Sequence, residues 1–109
     1  MDLDTLFLIK AEDKILDLER REQEREYTTQ IAELKKMQQK ARKSGDSELL
    51  AQFKKERQKF VNVMNYDELT YKLRKLQNSQ RLEPDDEKVK QIIALRQELD
   101  TLELEELNK

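Results

Sequence analysis

Cysteine, histidine and tryptophan are absent from this 109-residue chain, and glycine and proline occur once each. Without cysteine there is no disulfide framework and no thiolate metal site. Without histidine there is no imidazole base for a catalytic triad, and no His-dependent zinc or di-iron centre of the kind helix bundles carry. A glycine-rich phosphate loop cannot be built from one glycine. Long apolar runs are missing as well. Leu6-Phe7-Leu8-Ile9 spans only four residues, whereas a membrane helix needs about 20. The first residues, Met1-Asp2-Leu3-Asp4, are acidic where a secretory leader is basic. The sequence leads us to expect a soluble, cytoplasmic protein that does not enter a membrane.

Carboxylates are the one metal-binding chemistry left. Glu19 with Glu22, Glu83 with Asp86 and Glu103 with Glu106 have a helical i,i+3 spacing that suits magnesium. Each pair stands singly in a chain of 24 acidic residues, where such spacings arise by chance, and Arg20, Arg21 and Arg25 surround the first. No metal, cofactor or small-molecule substrate is expected, and the chain reads as non-enzymatic.

What the sequence does have is charge in balance. It is 42% charged and 36% hydrophobic, with 24 acidic and 22 basic residues for a net of −2. Ala, Glu, Lys, Leu, Arg and Gln favour helix, and the scarcity of glycine, proline and β-branched residues disfavours strands and their turns. The fold expected is all-α: an elongated, coiled-coil-like helical hairpin with an additional C-terminal helix.

The hairpin is centred on Gly45. Tyr27, Ile31, Leu34, Met37 and Ala41 recur at spacings of four, three, three and four, which puts them on one helical face. Gly45 then follows a basic last turn, where a left-handed residue closes a helix, and Asp46 or Ser47 can cap the next one. In that second helix Leu50, Phe53, Phe60 and Met64 share a stripe that Leu49 and Val61 widen. Asn65, with Glu68 three residues on, has the form of a capping box, and Leu69, Leu73 and Leu76 resume a stripe out of step with Met64. A kink or break near Asn65 is the expectation, in a segment that runs toward Leu82 with Asn78-Ser79 as helix-ending signals. Pro84 suits the first turn of a last helix, with Asp85, Asp86 and Glu87 behind it. Val89, Ile92, Leu95, Leu99 and Leu102 mark its apolar stripe.

Before Tyr27 the pattern changes. Leu8, Ala11, Ile15 and Leu18 form a seam at spacings of three, four and three, and Glu19 to Glu26 then carry no apolar residue. That run is expected to be a solvated bridge or a polar layer. The organisation expected is thus an N-terminal arm with its bridge over 1–26, a central hairpin over 27–82 and an acidic C-terminal helix over 83–109. The arm's seam, Leu8, Ala11, Ile15 and Leu18, is the candidate for self-association.

Charge is distributed unevenly. Lys35, Lys36, Lys40, Arg42, Lys43, Lys54, Lys55, Arg57 and Lys59 face three acids over the same stretch, for a net of +6, while 83–109 carries a net of −5. These nine basic residues are the candidate contact for an acidic protein partner or for nucleic-acid phosphates. Two functional readings follow. One is a protein–protein interaction or adaptor module that forms homo-oligomers, with a homodimer expected. The other is an accessory factor that binds nucleic acid through the basic hairpin tip.

Overall fold

The structure, a computed structural model, describes residues 1–107. It is all-α, a helical hairpin followed by a C-terminal helix: α1 (Leu3–Ser44), α2 (Ser47–Leu82) and α3 (Asp86–Leu107). Their ends are set by side chains that satisfy the orphan groups of a helix terminus. Asp2 accepts from the Thr5 N–H at 2.7 Å and opens α1. Gly45, with φ +63°, donates its N–H to the Ala41 carbonyl at 3.1 Å and closes it in the left-handed cap. Asp46 accepts from the Glu48 N–H at 2.9 Å and opens α2. Asp85 does the same for α3 through the Glu87 N–H at 3.1 Å. Pro84 therefore stands just ahead of the helix rather than in its first turn. Lys88 Nζ donates back to the Glu83 carbonyl at 2.9 Å and the Ser79 carbonyl at 3.4 Å, covering the end of α2.

Packing divides the chain into two units. The hairpin unit is Arg21–Asn65, the Gly45 turn with the adjoining lengths of α1 and α2. Its interior holds Tyr27, Ala41 and Phe53, all buried. Tyr27 and Phe60 meet edge to face, with centroids 5.8 Å apart and planes at 80°, a geometry favoured by the ring quadrupoles. Leu34, Met37, Leu49 and Met64 are half-buried around them, as their spacing predicts, and Ile31 and Leu50 lie at the exposed margin.

The three-helix unit joins Met1–Arg20, the chain from Tyr66 through the second half of α2, and α3. Among the described residues Ile9 is its one fully buried apolar side chain, at 1% exposure. The N-terminal arm is thus paired with α2 and is not a segment apart. On α3 the expected stripe is realised in part: Ile92, Leu95, Leu99 and Leu102 are half-buried, Val89 is exposed, and no α3 residue is buried.

The break expected near Asn65 is absent. The helix α2 runs unbroken through Asn65, and Asn78 and Ser79 lie inside it. The cause is an inward face continued by polar residues. Phe60, Met64, Asp67, Tyr71, Lys75, Asn78 and Leu82 follow one another at helical spacings of three and four, and all are half-buried or buried. In α1, Leu6, Ile9, Asp13, Leu16, Arg20, Gln23 and Tyr27 do the same. The charged run after Leu18 is therefore a polar layer at Arg20 and Gln23, with its other residues exposed.

Candidate interaction surfaces

In the three-helix unit a polar cluster joins α1 to α2 alongside the buried Ile9 and the half-buried Leu6 and Leu16. Lys75 Nζ donates to Asp13 Oδ2 at 2.5 Å and to Asp17 Oδ1 at 3.2 Å. Tyr71 donates its hydroxyl to Asp17 Oδ1 at 2.7 Å, and the buried Asn78 donates its amide to Asp13 Oδ1 at 3.3 Å. Arg20 donates to Glu68 and stacks over the Tyr71 ring, 5.4 Å from its centroid. Arg81 reaches Glu12 at 3.3 Å. The hydrogen bond to Asp13 holds the Lys75 ammonium above its ordinary 10.5, outweighing the opposing effect of burial. The hydrogen bond to Asp17, with burial and the carboxylate charge, holds Tyr71 above its ordinary 10.0. Sequence reasoning missed this cluster. Its signal is the pairing of two i,i+4 elements of opposite character, Asp13 with Asp17 on α1 and Tyr71 with Lys75 on α2.

Because the inward face of the arm is occupied by Ile9, Asp13, Leu16 and Arg20, the apolar seam turns outward. Leu8 is 59% exposed, Ile15 53% and Leu18 59%, with Ala11 half-buried among them. At 100° per residue the two sets point about 150° apart around α1. Leu3 and Phe7, at 82% and 71%, extend the exposed face. The sequence signal for Phe7 was its place beside Leu8. Ile15 and Leu16 also form one wall of a groove of about 800 Å³ whose other wall is Val89, Ile92 and Ile93 of α3. Glu12, Glu19 and Arg96 stand on its rim.

All nine candidate basic residues are exposed: Lys35, Lys36, Lys40, Arg42, Lys43, Lys54, Lys55, Arg57 and Lys59. Among the described residues only Lys59 of these enters an ion pair, with Glu56 at 3.7 Å. Phe53 is buried and Phe60 half-buried against Tyr27, so neither aromatic is exposed among these cations. The whole hairpin unit has eleven basic and seven acidic residues, a net of +4, and the remainder of the chain a net of −6.

Among the described residues no cluster of three or more acidic groups is placed to hold a metal ion, and no helix is long and apolar enough to cross a membrane. Comparison with protein-family models, with curated proteins and with solved structures finds no match to this chain.

Proposed function

We propose that this protein is a non-enzymatic interaction or adaptor module that self-associates through the outward face of α1, in keeping with a cytoplasmic location. The observation that carries this reading is the exposure of Leu8, Ile15 and Leu18 on a helix already packed by its other face. Clustered exposed apolar residues mark an interaction site more often than a solvent surface. Sedimentation equilibrium at micromolar concentration is the test. The mass should exceed the 13.2 kDa of one chain, and Ile15→Asp with Leu18→Asp should return it to that value with helicity retained. A wild-type mass of one chain over that range would refute self-association. Unfolding of the double variant would show that this face holds the chain itself together.

A second reading is supported by the hairpin tip, where nine cations are exposed and, among the described residues, only Lys59 is paired with an acid. Such a surface suits nucleic-acid phosphates, whose neutralisation releases counterions. Lys40, Arg42, Lys43 and Lys54 changed together to Glu should abolish salt-dependent binding of labelled DNA or RNA. Equal binding by wild type and variant would remove the tip from consideration.

A further inference from the structure

The outward face of α1 carries information about orientation as well as apolarity. With Leu8 and Ile15 at position a of a heptad, Ala11 and Leu18 fall at d. The flanking positions are then sorted by sign. Position g, beside a, holds Phe7 and Lys14, and position e, beside d, holds Glu12 and Glu19. The residues that pack inside the three-helix unit, Ile9, Asp13, Leu16, Asp17 and Arg20, fall at b, c and f, away from the seam. One helix therefore presents two faces with separate uses.

Two helices paired through a and d bring g of one beside e of the other when they run parallel, five residues further along. Antiparallel pairing brings g beside g and e beside e instead. In the first case Lys14 meets Glu19. In the second, with Leu8 opposite Leu18, Lys14 meets Lys14 and Glu12 meets Glu12. Lys14 and Glu19 are both exposed, and neither forms an ion pair within the chain among the described residues. Glu12 is engaged by Arg81.

Resting on the self-association reading above, we infer that the occupant of this face is a second copy of the chain whose α1 runs parallel to the first about a two-fold axis, with Lys14 beside the partner's Glu19. The commonest oligomer symmetry is this one, and it repeats the pair twice. Two heptads make a short seam, and the groove between Ile15, Leu16 and the exposed Val89 and Ile93 opens beside it. That groove adds apolar surface next to the a and d layers. The apolar contact supplies most of the affinity, and the sorted charges fix direction.

The absence of cysteine makes the test direct, because Ala11→Cys introduces the only thiol in the chain. A disulfide requires Cα atoms about 4.4–6.8 Å apart, which position d meets its own copy at only in the parallel arrangement. In a glutathione redox buffer A11C should form a covalent dimer, and the yield should fall in urea. Charge exchange gives an independent arm. Lys14→Glu or Glu19→Lys alone should weaken self-association about tenfold, since two attractive pairs become repulsive. Mixing the two variants should restore it as a heterodimer. If wild type sediments as a dimer while A11C links only to an Ile15→Cys chain, the helices are antiparallel. This inference then fails and self-association stands. A wild-type mass of one chain overturns both.

Discussion

The hairpin unit and the three-helix unit solve the same packing problem with opposite chemistry. Around Gly45 the helices are joined by Tyr27, Phe53 and Phe60, and the basic residues from Lys35 to Lys59 are exposed. In the other unit charges and a hydroxyl join α1 to α2 beside the buried Ile9, while Leu8, Ile15 and Leu18 are left to solvent. An apolar contact is non-directional and stabilises in proportion to area. A network of Asp13, Asp17, Tyr71 and Lys75 contributes less net energy per contact but accepts only one register of the two helices. The hairpin unit is thus built for stability and the three-helix unit for alignment. Alignment of that kind leaves Leu8, Ile15 and Leu18 exposed on the other face of α1.

The largest effect that tests this contrast is Phe53→Ala. A large-to-small change at a site 6% exposed removes both transfer energy and packing, about 3 kcal/mol or more. Leu18→Ala, at 59% exposure, should change the stability of the dilute chain by less than about 0.5 kcal/mol while weakening self-association. Chemical denaturation at low concentration measures both. Comparable losses for the two variants would erase the distinction between the units.

A smaller effect is expected from Lys75→Met, which strands Asp13 and Asp17 beside each other without their cation. Because the three side chains retain between 30% and 45% exposure, water screens part of the repulsion, and the loss should be about 1–2 kcal/mol. Adding Asp13→Leu should recover much of it, since well-packed apolar replacements of an ion pair are often neutral or better. A double variant less stable than Lys75→Met alone would mean that the hydrogen bond from Asn78 to Asp13, and not the ion pair, is what the cluster protects.

How much of this was legible in the sequence follows the same division. Gly45, Asp46 and the stripe of Tyr27, Leu34, Met37 and Ala41 announce the hairpin unit, because there hydrophobicity and burial coincide. The three-helix unit hides its inward face. Periodicity of apolar residues picks out Leu8, Ile15 and Leu18, whereas the packed positions beside Ile9 are Asp13, Asp17 and Arg20, which find partners on α2. For the same reason Asn65 reads as the cap of a new helix and Asn78 as a helix-ending signal. Their local capping preference yields to a face continued by Asp67, Tyr71, Lys75 and Asn78 itself, residues that no apolar template counts.

The smallest effect lies in alkaline solution and belongs to the three-helix unit. Lys75 is held above 10.5 first by its hydrogen bond to Asp13, and Tyr71 above 10.0 first by its hydrogen bond to Asp17. In both cases folding favours the protonated form, so the folded chain binds protons more tightly than the unfolded one. Their contribution to stability is complete below the ordinary values and declines as pH rises through the raised ones. Deprotonation of Tyr71 also places a phenolate against a carboxylate, and loss of the Lys75 charge leaves Asp13 and Asp17 uncompensated. Urea midpoints measured from pH 8 to 12 should therefore fall above pH 10, and Tyr71→Phe with Lys75→Met should flatten that fall while lowering the plateau. An alkaline decline of equal steepness in the variant would assign it to other groups and leave the cluster with a role in register alone.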